Sequence, residues 1–400
     1  MRNAWWTLAL AVSALHGCEP SAESGDVDGM AGDAIAITEE LRIGGLDGAE
    51  EYTFGRVSTL APGPDGSVFV ADAQIAAVRR YDAQGRHQVT IGRRGEGPGE
   101  FQSIDGLAVL DDGRMIAWDG GLRRLSIFAD NEFIESATVP GGLQGWRGFA
   151  WSRAGDLLVR ITPETGFAET RDGVVGNWAR VTLSGDVTRL WPLPQAASVG
   201  PRYVVAGRGG YYRPFITETL STVGPDGSLY QVRNDEYRIR RTHPDGTGSV
   251  IAREEPRIEL TAEELEEWEA RSESFAQRIP EERSEFFPVP TVKPYIRELV
   301  TDPDGRLWVS RYTEPEFLPY TEAQQEDRRS RNLPSFQWRD RLRWDVFSPA
   351  NEYLGSVTLP PRTSFVTAIG NDVWGVQSGE FDEDYVVRFS VAPSPRSVSE

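Results

Sequence analysis

The chain has 400 residues, 39% of them hydrophobic and 26% charged, which is enough apolar material for a sizeable core. Its formal net charge of −19 repels nucleic acid, so we exclude nucleic acid as a partner. With three histidines and one cysteine, a histidine metal cluster, a zinc ribbon and a disulfide framework are excluded by counting. The basic residues are arginines except for Lys293, and the sequence alone offers no physical reason for that bias.

Residues 1–17 have the pattern of a signal peptide. Arg2 precedes an apolar run from Ala4 to Leu15 that is too short to span a bilayer stably. The segment Leu-His-Gly-Cys that ends this region resembles the lipobox of bacterial lipoproteins, although His16 stands where a small residue is more common. The resemblance implies that cleavage leaves Cys18 as a lipidated N-terminus. An ordinary secretory signal with an incidental cysteine is the alternative.

Residues 18–32 are rich in Ser, Gly and Asp and contain hardly any large apolar side chain. Such a segment cannot bury enough surface to offset its ordering entropy, so we expect a flexible tether. Together with the lipobox, it predicts a protein that is lipid-anchored to a bacterial membrane and exposed outside the cytoplasm, either in the periplasm or at the cell surface. No later stretch is long and apolar enough to suggest a transmembrane helix.

The remaining chain repeats one pattern, in which a short apolar strand is followed by a turn and a second alternating strand. Asp-Gly between alternating apolar runs is a strong hairpin signal, because both residues tolerate the positive φ of a tight turn. Four clear copies occur, at 60–72, 107–119, 221–233 and 299–311. Two weaker copies occur at 148–161 and 366–377.

A third and a fourth strand follow most copies, which predicts an all-β fold, a six-bladed β-propeller of four-stranded antiparallel blades. The predicted propeller spans residues 33–392, and residues 393–400 form a C-terminal tail. The sixth unit lacks an outer strand, whereas residues 34–44 have a strand pattern and no unit of their own. We therefore expect 34–44 to complete the sixth blade and close the ring.

The stretches DGSVFVAD, VRRYDAQGR and IGRRGEGPGEF together resemble the NHL repeat, and residues 33–392 resemble the six-bladed, NHL-like propeller lipoproteins of bacterial envelopes. In that repeat an Asp ends the second strand and an Arg follows five residues later. Asp119 and Arg124 match this pattern, whereas Asp72 is followed by Ala77. The resemblance also implies that the Gly-Pro-Gly run crosses from one blade to the next and that Phe101 fills the gap between them.

Two insertions interrupt the repeat, at 259–290 and at 312–336, in blades four and five. The first predicts a helix of about 17 residues, because Thr261 and Glu264 form a capping-box signature and Pro280 ends the run. An apolar stripe on this helix is expected to pack on the propeller. The second insertion predicts a short polar helix at 321–331. Together they could form a wall or lid over one mouth of the ring.

The residues that close the second strands are the candidate ligand contacts, because these strand ends meet at one mouth of the ring. They are Asp72, Asp119, Ile161, Arg233, Arg311 and Gln377. Two acids and two arginines do not make a cation cage, so the open alternatives are structural Asp–Arg pairing, contacts to an anionic or zwitterionic ligand, and metal catalysis. No catalytic residue, metal site or cofactor is predicted. Catalysis by a Ser-His-Asp set is disfavoured because the histidines lie at the periphery.

The sequence therefore favours an envelope-anchored, non-enzymatic module that binds a protein or a small ligand at one mouth of the ring. A metal-assisted hydrolase or lyase of the lactonase-like propeller type is one alternative, and a purely structural envelope component is another. The oligomeric state is not indicated.

Overall fold

The computed structural model describes residues 34–392 except 140–148, 153, 162–175, 194–202, 207–208, 213, 277–288 and 331–336. The described residues belong to one compact unit, Asp33–Glu400. The predicted signal peptide (1–17), tether (18–32) and tail (393–400) lie outside the described residues, and so does Cys18.

The chain begins with strand β1 (Ile37–Ile43) and a short 3-10 turn, Glu50–Tyr52. Two four-stranded antiparallel blades follow, each in simple sequential order. The first consists of β2 (Val57–Pro62), β3 (Val68–Asp72), β4 (Ala77–Tyr81) and β5 (His87–Ile91). The second consists of β6 (Gly106–Val109), β7 (Met115–Asp119), β8 (Arg124–Ala129) and β9 (Glu132–Thr138).

The third and fourth blades repeat this order. The third consists of β10 (Phe149–Trp151), β11 (Leu157–Ile161), β12 (Gly176–Val181) and β13 (Val187–Leu193). A two-stranded hairpin of β14 (Tyr203–Ala206) and β15 (Gly209–Tyr212) lies in the connection to the next blade. The fourth blade consists of β16 (Thr219–Val223), β17 (Leu229–Arg233), β18 (Arg238–Thr242) and β19 (Gly248–Ala252).

The fifth blade carries the insertions. Helix α1 (Ala262–Ala276) precedes its strands β20 (Ile296–Thr301) and β21 (Leu307–Arg311). A hairpin of β22 (Pro315–Phe317) and β23 (Trp338–Asp340), with helix α2 (Glu322–Ser330) between them, separates β21 from β24 (Arg343–Phe347) and β25 (Tyr353–Thr358). The sixth blade consists of β26 (Thr363–Ile369), β27 (Asp372–Ser378), β28 (Asp384–Val391) and β1.

The Asp-Gly turns join the first and second strands, as the repeat predicts. Gly66 and Gly305 have φ angles of +78° and +83°, which L side chains rarely adopt. The preceding aspartate also fixes the turn, because Oδ1 of Asp65 accepts hydrogen bonds from the N–H and the hydroxyl of Ser67. The hydroxyl bond is the largest of the effects that lower the pKa of Asp65.

The N-terminal strand closes the ring. β1 pairs antiparallel with β28, from Ile37 opposite Val391 to Ile43 opposite Val386, and it is the outer strand of the sixth blade. The prediction made from residues 34–44 is confirmed. Because one blade combines the two ends of the propeller, the first and last blades cannot separate without breaking this strand pairing.

The core lies between blades rather than within them. The described residues form six clusters of buried apolar side chains, one at each junction, including the junction of the sixth blade with the first. Phe101 is fully buried in the cluster between the first two blades, so its predicted position is confirmed. Six blades and six shared clusters make the domain a closed six-bladed β-propeller. Among the described helices, none is long and apolar enough to cross a membrane.

Candidate functional site

The two insertions leave the propeller on the same side. The second strand of each blade ends, and the third begins, on the side that also carries the connections between blades, whereas the Asp-Gly turns lie on the other side. Helix α1 lies in the connection from blade four to blade five, and α2 lies between the second and third strands of blade five. We call α1, α2 and the β22–β23 hairpin the platform, and this side of the ring the platform side.

The platform is held together by hydrogen bonds between its parts. Both carboxylate oxygens of Glu267 in α1 accept the N–H of Gln337, at 3.1 and 2.9 Å, and Oε2 also accepts the N–H of Trp338 at 3.1 Å. In α2, Nε2 of Gln324 donates to the carbonyl of Glu380 at 3.0 Å. These hydrogen bonds connect α1 to the β22–β23 hairpin and connect α2 to a loop of blade six.

Helix α1 begins with the capping box that the sequence predicts. The hydroxyl of Thr261 accepts the N–H of Glu264 at 3.2 Å, as expected of an N-cap. The carboxylate of Glu264 interacts with the backbone N–H of Thr261, as a capping box requires, and it also binds Lys293. Trp268 of α1 packs edge-on against Phe215 with ring centroids 5.5 Å apart, which agrees with the expectation that an apolar side of this helix packs on the propeller.

Lys293 is buried beneath the platform. Its Nζ lies 2.8 Å from Oε1 of Glu264 and 2.6 Å from Oδ1 of Asp340, and it donates to the carbonyl of Thr313 at 2.9 Å. The Lys293 side chain is fully buried, that of Glu264 is 3% exposed and that of Asp340 is 10% exposed. Burial raises the pKa of Glu264. One lysine thus links the segment before blade five, helix α1 and strand β23.

Aromatic side chains are exposed on the outer surface of the platform side. Among the described residues, six large hydrophobic side chains are exposed, and three of them, Ile134, Val187 and Val250, lie on outer strands. The others lie on platform-side connections: Phe317 (50% exposed), Phe381 (63%) and Leu46 (47%).

Phe317 lies in the platform, and Phe381 lies in a loop of blade six that is hydrogen-bonded to the platform. Phe317 packs against Trp338, with ring centroids 5.3 Å apart. The carbonyl of Glu380, next to Phe381, accepts the hydrogen bond from Gln324 in α2. Arginines accompany the aromatic rings: the guanidinium groups of Arg328 and Arg339 lie 4.7 and 5.1 Å from the ring centroid of Tyr320.

Asp72 and Asp119, the predicted acidic contacts, are 1% and 0% exposed. Oδ1 of Asp72 accepts the N–H of Gln74 at 2.9 Å, and Oδ2 lies 3.4 Å from Nη1 of Arg79. The carboxylate of Asp119 accepts the N–H groups of Gln102 and Leu122, at 2.7 and 2.9 Å. Both carboxylates therefore hold the loops that join neighbouring strands.

The predicted partner of Asp119, Arg124, stands opposite it in the strand register but does not form an ion pair with it. Its guanidinium donates instead to the carbonyls of Glu96, Gly97 and Glu100, in the glycine-rich crossover between blades one and two. The aspartate and the arginine of the repeat thus each satisfy the backbone of the same crossover region.

Arg311 lies in a buried network between blades four and five. Its guanidinium lies 2.7 Å from Oε2 of Glu255 and 3.4 Å from Oδ2 of Asp345. Asp345 is fully buried, and its carboxylate also accepts the hydroxyls of Tyr237 and Ser356, both at 2.7 Å. Burial raises the pKa of Tyr237 well above its ordinary value, so this phenol stays a donor. Every charge in this network has an opposite charge or a hydrogen-bond donor.

Arg233 and Gln377 lie nearer to solvent. The side chain of Arg233 is 54% exposed and lies 2.7 Å from Oδ2 of Asp235, whereas Gln377 accepts a hydrogen bond from Arg42. The end of β11 places Ile161 at the corresponding strand end, but its side chain is outside the described set. Within the described parts of the chain, no hydrogen bond or ion pair joins any two of Asp72, Asp119, Arg233, Arg311 and Gln377. Their role as ligand contacts stays a prediction.

Two features of the platform side were missed by the sequence reasoning. The Lys293 cluster unites residues that are far apart in the chain, and its only local signal was that this position holds the single lysine. The exposed phenylalanines had no local signal, because burial depends on neighbouring blades. Among the described residues, no group of three or more His, Cys, Asp or Glu side chains is arranged to hold a metal ion.

The chain matches no protein-family model and no curated protein. Among solved structures, it is similar to a member of the DUF4221 family from Bacteroides vulgatus, at 11% identity and a TM-score of 0.49, over 90% of this chain and 99% of that one. A candidate exported protein from Bacteroides fragilis matches at 10% identity and a TM-score of 0.47, over 90% and 95%. Virginiamycin B lyase from Staphylococcus aureus matches at 11% identity and a TM-score of 0.42, over 90% and 100%. These likenesses carry no inference about activity, and the propeller assignment rests on the strand pairing within this chain.

Proposed function

We propose that this chain is an envelope-anchored binding protein that holds a protein partner on the outer surface of its platform. The observation that carries the proposal is the exposure of Phe317 in the platform and of Phe381 in the blade-six loop that is hydrogen-bonded to the platform. Phenylalanine rings exposed to this extent lose hydrophobic stabilisation unless something covers them.

The chemistry of this surface is that of a protein interface. Aromatic residues and arginine are enriched at interface cores, where they supply large contact areas and directional hydrogen bonds. Here Phe317 and Trp338 are accompanied by Tyr320 with its two neighbouring arginines. The partner chemistry that fits is an apolar groove for the two phenylalanine rings, with polar groups around it.

The described parts of the platform are also joined to one another and to the propeller by hydrogen bonds and ion pairs. Helix α1 and the β22–β23 hairpin are joined through Glu267 and Lys293, and α2 is hydrogen-bonded to blade six through Gln324. A surface whose parts are already fixed loses less conformational entropy on binding. The contacts of the described parts of the insertions therefore support a binding surface better than a mobile cover.

The test compares retention of a partner by the wild type and by two matched variants. The full chain is immobilised and incubated with a detergent extract of the envelope of its own cells. The double variant Phe317→Ser, Phe381→Ser removes the exposed rings of the platform. The control, Ile134→Ser, Val250→Ser, removes two exposed aliphatic side chains from outer strands. We expect one protein to be retained by the wild type and the control but lost by the platform variant.

Two results would contradict the proposal. Equal retention by all three proteins would place the contact elsewhere. Sedimentation of the wild type with protein-free anionic vesicles, lost in the platform variant, would assign the phenylalanines to a lipid surface instead.

We further propose that Cys18 carries the lipid anchor, on the strength of the N-terminal sequence. Cells grown with a labelled fatty acid should label the wild type and not the Cys18→Ala variant. Equal labelling of both proteins would refute the anchor.

A further inference from the structure

The Lys293 cluster has the composition of a self-acylating site. An amine, Nζ of Lys293, lies 2.6 Å from a carboxylate oxygen of Asp340 and 2.8 Å from a carboxylate oxygen of Glu264. Oε2 of Glu264 is buried and has no hydrogen-bond partner among the described residues. The amine also lies 5.6 Å from the ring centroid of Phe215, so one wall of the site is apolar.

The choice of lysine at this position supports a role for the amine itself. Lys293 is the only lysine of the chain, and apart from three histidines every other basic side chain is an arginine. Arginine is well suited to buried ion pairs with carboxylates, because its planar fork binds them in a bidentate manner. A position that needs only a positive charge could therefore hold arginine as well. A guanidinium stays protonated in proteins, whereas an amine can lose its proton and act as a nucleophile.

We propose that Lys293 and Asp340 join in an intramolecular amide bond, with Glu264 as the proton carrier. The ammonium of Lys293 first transfers a proton to the Asp340 carboxylate, which leaves a neutral amine and a carboxylic acid. The lone pair of Nζ then forms a bond to Cγ of Asp340. Glu264 takes the second proton from nitrogen and delivers it to the departing hydroxyl. The Cγ–O bond breaks, and one water molecule leaves.

The reaction is balanced without any further reactant: an ammonium and a carboxylate give an amide and water. In water an ammonium and a carboxylate remain an ion pair. Three features of this site favour amide formation instead. Burial disfavours the charged forms of the pair, so the first proton transfer costs less here than in solvent. The reacting groups are held in contact, which removes most of the entropic barrier. Burial also raises the pKa of Glu264, and a carboxyl that can hold a proton is what the last step requires.

The bond would join Asp340 at the end of β23 to Lys293 in the segment that leads into β20. It would fix the platform covalently in a chain whose single cysteine cannot provide a disulfide. This inference does not depend on the proposed protein partner, and either can fail alone.

Peptide mapping of the full chain tests the bond directly. Trypsin does not cleave before proline, so it should release Lys293 within the peptide 284–297 and Asp340 within the dipeptide 340–341. We expect these two to appear as one branched species whose mass is their sum less one water molecule. Recovery of unmodified 284–297 in full yield from the wild type would overturn the proposal.

Two variants define the roles. Lys293→Arg keeps the charge but cannot form the amide, and its digest should contain no branched species. Glu264→Gln keeps the shape of the side chain but cannot carry the proton, so we expect the linear peptide from the folded variant. A branched species in Glu264→Gln at the wild-type yield would overturn the role of Glu264. Circular dichroism of each variant shows whether the propeller is folded.

Discussion

Closure of the ring by the N-terminal strand can be tested with a single side chain. Ile43 ends β1, is 2% exposed and packs with Phe54, Trp374 and Val386 in the cluster that joins the sixth blade to the first. Replacing a fully buried isoleucine with alanine costs about 2–5 kcal/mol, from lost burial and from the cavity left behind. Because Ile43 is almost fully enclosed, we expect Ile43→Ala to lower the free energy of unfolding by about 3 kcal/mol.

The assay is urea unfolding followed by tryptophan fluorescence and by circular dichroism. Ile43→Ala should move the midpoint of both signals together, because loss of closure exposes every blade. Ile134→Ala is the matched control, since it also lies on an outer strand but is 56% exposed; we expect a change below about 0.5 kcal/mol. Equal effects of the two substitutions would refute closure by β1, as would a separate early transition confined to the sixth blade.

Three further predictions concern the turns, the acid stability and the buried charges. Gly113 has a φ of +83° and open space where a Cβ would stand, so Gly113→Ala should lower the free energy of unfolding by about 1 kcal/mol from backbone strain alone. Gly45 has no positive φ, so Gly45→Ala should change the free energy of unfolding little. Equal unfolding midpoints of the two variants would contradict this. Turn hydrogen bonds lower the pKa values of four aspartates below the ordinary 3.8, namely Asp65, Asp82, Asp112 and Asp245. The stability that these carboxylates supply is therefore present above about pH 4 and is lost as the pH falls further. A variant with asparagine at all four positions should lose less stability on acidification, and the same loss of stability as in the wild type would contradict this. Arg311→Met should destabilise the domain by about 3–5 kcal/mol, because it leaves the buried carboxylate of Asp345 without a cation and leaves Glu255 with Arg253 alone. Arg233→Met should change stability by less than about 0.5 kcal/mol, since this arginine is 54% exposed, and similar losses in calorimetry would contradict the assignment.

Most of the fold could be predicted because its signals are local. An Asp-Gly turn joins the first two strands in four of the six blades, and the glycine of each has a positive φ. Closure by residues 34–44 followed from counting strands, since a blade with three strands needs a fourth. The start of α1 was predicted correctly because Thr261 and Glu264 cap it locally, whereas the additional contact of Glu264 with Lys293 depends on tertiary structure.

The candidate site was harder to predict because it depends on contacts between blades. Asp72 and Asp119 stand at the expected strand ends, but their carboxylates turn inward to backbone N–H groups, which no local pattern reveals. Arg311 meets Glu255 and Asp345 only because blades four and five are neighbours in the ring. The same holds for Lys293, Glu264 and Asp340, which come from a loop, a helix and a strand.

Site-specific photo-crosslinking in living cells tests the proposed binding surface most directly. A photo-reactive amino acid is placed at position 317 or 381 on the platform side, or at position 134 or 250 on outer strands, four sites that are all exposed in the isolated chain. We predict that illumination joins one and the same protein to the chain from both platform-side positions and from neither outer-strand position. Crosslinks to that protein from the outer strands alone would contradict the binding role of the platform.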